Sequence, residues 1–141
     1  MDHAFLTRFR KTTVVLLCGI ALVTTSACAR NYTDETMQPL AATASGLARA
    51  VMRFAKNNPE AAALDDQELV RQATAFDADL LAPYQGLVVR GTVDGVILVC
   101  TGDGRRGLFE DAECSDRVDK PLWPNKNAPC QFTLTSETAC P

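Results

Sequence analysis

The sequence predicts an α+β fold: N-terminal helices packed on a small antiparallel sheet, with a disulfide-stapled C-terminal region. Three observations carry this reading. Apolar residues recur at helical spacing from Met37 to Phe54. Six of the eight glycines fall between Gly86 and Gly107, where they punctuate β-branched runs. Cys100, Cys114, Cys130 and Cys140 all lie in the last third of the chain.

The chain opens with a targeting segment. Arg8, Arg10 and Lys11 precede an uncharged, mostly apolar run from Thr12 to Val23. That run is shorter than the ~20 residues a helix needs to span a bilayer. It matches the h-region of a secretory signal, ~7–15 residues behind a basic n-region. Small residues and a cysteine follow. Thr25-Ser26-Ala27-Cys28 resembles the lipobox of bacterial lipoproteins. The resemblance implies cleavage before Cys28, lipidation of Cys28 (palmitate among its acyl chains) and a lipid anchor in a membrane. Ala29, with no Asp after the cysteine, implies sorting to the outer membrane, facing the periplasm. Ala27-Cys28-Ala29 also reads as an A-x-A site with cleavage before Arg30, which gives a soluble periplasmic or secreted chain. The expected division is a signal peptide over 1–27, a tether over 28–35 and one small domain over 36–141.

Removing the signal leaves about 113 residues, the size of one domain with a modest core. The whole chain carries −3; the signal holds Arg8, Arg10 and Lys11 against Asp2, so the remainder carries −5. A mildly acidic domain without a basic run is a poor match for nucleic acid.

In the domain, Thr33 or Asp34 caps a first helix, and Asp34 and Glu35 suit the positive end of its dipole. Met37, Leu40, Ala44, Leu47, Val51 and Phe54 form one apolar stripe, and Asn57-Asn58-Pro59 ends the helix. Gly46, with Ala41, Ala44, Ser45 and Ala48, makes a slim face that a sheet can approach. Asp65-Asp66-Gln67-Glu68 resembles a capping box, with Asp65 as cap and Glu68 reaching back, for a second helix over about 66–75. A helical turn around Leu80 and Leu81 ends at Pro83.

Strands are expected over 87–93, 96–101 and 108–111. Asp94-Gly95 reads as a two-residue hairpin turn. It sets Val93 opposite Val96 and Val89 opposite Cys100. Val96 to Cys100 has no polar break, so this is the central strand, covered by the long helix on one face and the cysteine-rich tail on the other. Cys130 to Thr135 alternates and makes a candidate fourth strand.

Four cysteines in an exported chain read as two disulfides. The pairings expected are Cys114–Cys130, closing the proline-rich loop, and Cys100–Cys140, tying down the tail. Spacings of 14, 16 and 10 contain no C-x-x-C pair and argue against zinc.

No catalytic signature stands out, and no cofactor is implied. The single histidine, His3, leaves with the signal, so the domain lacks the commonest general base. Asp65/Asp66, Glu110/Asp111/Glu113 and Asp116/Asp119 supply carboxylates, read first as surface and caps. Arg105 and Arg106, in the turn after Gly104, are candidate contacts for an acidic partner or lipid headgroup. Trp123, between two prolines, either plugs the loop or serves as a binding anchor, since Trp is enriched at hot spots. The function expected is that of a non-enzymatic envelope lipoprotein acting by contact with another envelope component. The alternative is a soluble binding or inhibitor module cleaved after Ala29.

Overall fold

The structure, a computed structural model, describes residues 31–139. Cys28 and Cys140 lie outside the described residues. Helices α1 (Asp34–Ala41), α2 (Ala44–Asn57) and α3 (Asp66–Ala73) precede a four-stranded antiparallel sheet. Its strands are β1 (Val88–Gly91), β2 (Ile97–Cys100), β3 (Gly107–Asp111) and β4 (Lys120–Pro121), in spatial order β1-β2-β3-β4. A short α4 (Ser136–Ala139) follows. The α+β class holds. Among the described residues no helix is long and apolar enough to cross a membrane.

The long first helix is interrupted. Pro39, inside α1, has no N–H to give to the helical ladder. At the break, the Leu40 carbonyl accepts the Tyr84 hydroxyl at 3.0 Å, the Thr43 hydroxyl at 2.8 Å and the Thr43 N–H at 3.1 Å. Tyr84, from the 3₁₀ turn Ala78–Tyr84, thus satisfies a carbonyl that a continuous helix would spend on its own backbone. The apolar stripe survives the break: Met37, Ala44, Leu47 and Val51 are all buried. Helix α1 begins at Asp34, inside the segment assigned to the tether.

Asp65 caps α3 as expected, its Oδ1 accepting the N–H groups of Gln67 (3.1 Å) and Glu68 (2.9 Å). Glu68 does not reach back. Its carboxylate pairs with Arg71 and accepts from Gln72 at 2.6 Å, which holds it down at about 2, below the ordinary carboxylate value.

The sheet register differs from the expected one by one residue. Val88 faces Cys100 and Gly91 faces Ile97. The connection has three residues, not two. Thr92 accepts the Gly95 N–H at 2.9 Å, and Gly95 takes φ +87° before Val96 donates to the Thr92 hydroxyl. This is a tight turn closed by a left-handed glycine, the commonest alternative to a two-residue hairpin. A one-residue slip reverses which face each side chain joins. Val93 consequently sits at the surface.

β2 is buried along its whole length, as the unbroken apolar run implies. Ile97 and Val99 pack with Leu47, Val51 and Val70 of the helices. Leu98 and Cys100 face the opposite side, under Cys130 and Phe132 of the tail. Helices cover one face of the central strand and the tail covers the other. The slim face of Gly46 meets Leu80 of the 3₁₀ turn, 3.2 Å from an ideal Cβ. The glycine that lets helix and sheet close up is Gly91, whose ideal Cβ would lie 2.8 Å from Val70.

Two expectations are corrected in the tail. Residues 130–135 are not a strand. The amides at 133 and 134 go to a side chain: the buried carboxylate of Glu110 accepts Thr133 N–H (2.7 Å), Leu134 N–H (2.9 Å) and the Thr133 hydroxyl (2.9 Å). The edge of β3 is occupied by Lys120–Pro121 instead. The disulfide is Cys100–Cys130, with Cα atoms 5.7 Å apart, not Cys114–Cys130 or Cys100–Cys140. The reason is a set of backbone contacts at the start of β3. Gly107 donates to Ala128 at 3.0 Å, Cys130 donates to Arg105 at 3.1 Å, and Arg106 bridges Pro129. These lay Cys130 over the face toward which Cys100 points. Cys114 is also disulfide-bonded.

Candidate functional site

β3 ends in two buried acids, Glu110 and Asp111. Glu110 faces the tail and is spent on its clasp. Asp111 faces the helices. Beyond it, residues 112–119 turn back so that β4 can pair with β3. This loop and the α1–α2 junction bound a cleft of about 350 Å³, lined by Asp111, Glu113, Ser115, Arg117, Ser45 and Arg49.

Asp111 is 4 % exposed and hydrogen-bonds the carboxyl of Asp119. Burial pushes the Asp111 carboxyl up to about 7, and the hydrogen bond and negative charge of Asp119 push it the same way. Two carboxyls in contact cannot both ionise cheaply. Asp119 is itself committed. Its Oδ2 accepts the Ala112 N–H at 2.8 Å and the Cys114 N–H at 3.4 Å, and the Ser115 hydroxyl lies 3.3 Å from Oδ1. The loop is therefore wound around the Asp119 carboxylate, and Asp111 holds that carboxylate from β3.

Glu113 occupies the left-handed region at φ +59°, the only described non-glycine residue to do so. Such a conformation costs of order 1–3 kcal/mol and persists where surroundings impose it. Here the Glu113 carboxylate is ion-paired to Arg49 of α2 at 2.5 Å. Behind the cleft, Tyr84 is pushed up to about 12, by burial and by the charge of Asp111, against the hydrogen bond from Thr43. Its hydroxyl stays protonated and keeps the helix break satisfied.

Chemically, the cleft offers the buried, proton-retaining carboxyl of Asp111, flanked by the guanidinium groups of Arg49 and Arg117. Perturbed carboxyls of this kind mark functional clefts more often than plain surface. Among the described residues, no three of His, Cys, Asp and Glu converge so as to hold a metal ion.

The sequence-level site residues are placed as follows. Trp123 is buried at 4 % exposure, with its indole N–H donated to Asp34 at 2.6 Å and its ring edge-on to Phe109 at 6.4 Å. It plugs the loop and fastens α1, so it offers no surface to a partner. Arg105 is exposed at the tip of the β2–β3 turn. Arg106 is half-buried, with its guanidinium 5.0 Å over the Tyr32 ring. Cys100 and Cys130 are joined to each other. The sequence grouped acids by adjacency and missed the pairing of Asp111 with Asp119. The one available signal was their position on either side of Cys114 in a stretch too short to do anything but turn.

No family model, curated protein or solved structure matches the chain. The fold and cleft together describe a small α+β domain with its central strand covered on both faces and an acidic loop closed on itself by hydrogen bonds.

Proposed function

We propose that this protein is a non-enzymatic envelope lipoprotein that acts by contact with another envelope component. The observation that carries the reading is the N-terminal run from Val14 to Cys28, a basic-flanked apolar segment ending in small residues and a cysteine. Several acyl chains at ~0.8 kcal/mol per buried methylene hold a chain on a membrane far more firmly than one does. A non-catalytic role agrees with the cleft, where Asp119 spends its oxygens on the backbone of its own loop. In the second reading, the chain is cleaved after Ala29 and works as a soluble binding or inhibitor module. The exposed Arg105 at the β2–β3 tip favours it.

Intact mass of the protein from its own cell envelope separates the two. A chain that begins at Cys28 and carries a multi-acyl increment supports the anchored reading. A chain that begins at Arg30 without lipid replaces it with the soluble one.

A further inference from the structure

The end of the domain built from the last turns of α2 and the segment after α3 leaves one large apolar side chain in water. Phe76 is 100 % exposed. It stands at the lip of a groove of about 310 Å³, whose apolar walls include Phe54, Ala73 and Leu80. Arg53 and Asp77 line the same groove. Neither has an ion-pair partner among the described residues.

One patch therefore carries a protruding ring, an apolar receptacle and one unpaired charge of each sign. Such a patch is complementary to itself. A two-fold axis through it sends Phe76 of each copy into the groove of the other and sets Arg53 of each against Asp77 of the other. Closed two-fold pairing is the commonest way for a chain to use one surface twice. A buried aromatic ringed by paired charges is the usual anatomy of an interface centre. An anionic bilayer fits less well, because Asp77 and Asp79, both exposed, flank the ring. We infer that this groove docks a second copy of the same chain, with Phe76 as the anchor and Arg53–Asp77 pairs at the rim.

The test places p-benzoylphenylalanine at position 76 of the full chain and irradiates intact cells. A product of twice the chain mass, with the crosslink inside residues 50–58 or 73–80, is expected. Arg53→Glu should lower its yield at least tenfold, and Arg53→Glu with Asp77→Arg should restore it to within twofold. These positions are exposed, so the variants keep the thermal midpoint of the parent. Crosslinks only to lipid or to other proteins overturn the inference. So does a yield indifferent to Arg53→Glu, or one that the charge swap fails to restore.

Discussion

The carboxyl of Asp111 hydrogen-bonds the carboxyl of Asp119 across the loop that closes the cleft. The first acid is buried in β3, and the second is the post around which residues 112–119 are wound. The pair joins a strand to a loop.

This pairing makes stability depend on pH in a definite direction. The Asp111 carboxyl is raised from 3.8 to about 7 in the folded state. Between those values the folded chain holds a proton that the unfolded chain has lost. The pair's contribution to stability is therefore complete below pH 4 and falls as pH rises toward 7, by at most about 1.4 kcal/mol per pH unit. In Asp111→Asn this slope should vanish, leaving a chain less sensitive to pH above 4. Denaturation series at several pH values read the difference between parent and variant. Equal slopes would show that Asp111 retains no proton.

Glu110 should govern the tail without altering the helices. Its carboxylate accepts three bonds from residues 133 and 134 while fully buried. Glu110→Ala removes the acceptor of three part-buried hydrogen bonds, at a cost of roughly 1–3 kcal/mol. Hydrogen exchange should quicken at the Thr133 and Leu134 amides well before it does in α2. Unchanged protection there would mean that the disulfide alone holds the tail.

Gly95→Val tests the turn. Gly95 sits at φ +87°, and a Cβ there would come within 2.6 Å of Met52. Left-handed strain costs a β-branched residue more than ~1 kcal/mol, and the contact adds to it. A neutral variant would place the hairpin elsewhere.

The disulfide is open to direct mapping. Non-reducing digestion should yield a peptide pair joining Cys100 to Cys130. Replacing both with Ala should destabilise the domain by about 3–4 kcal/mol, the chain-entropy value for a loop of this length. A Cys114–Cys130 peptide would overturn the pairing.

Trp123 should report its burial. Its emission is expected blue from the outset and unmoved by envelope extract, since the ring packs on Phe109 and its N–H is bonded to Asp34. Asp34→Ala leaves that N–H unpaired and should cost about 1–3 kcal/mol. Red emission in the parent would return Trp123 to the surface.

The sequence by itself determined the local and periodic features. The stripe from Met37 to Phe54, the Asp65 cap and the unbroken run Val96–Cys100 each state which face is apolar. Burial follows, whatever the neighbours are. The expected signal segment is likewise a linear pattern, and it lies outside the described residues. Only the tertiary structure decided how distant groups meet. Tyr84 satisfies the Leu40 carbonyl where the long helix is interrupted, and Pro39 was a local hint of weakness there. The hairpin register differs by one residue because Gly95, at φ +87° and bonded to the Thr92 carbonyl, closes a three-residue turn. Glu110 drew the tail's amides away from strand pairing, backbone bonds at the start of β3 chose Cys130 for Cys100, and Asp119 found Asp111. Each of these joins two groups whose separate chemistry is ordinary. The pairing exists only once packing has fixed which atoms are near, and linear spacing carries no such distance.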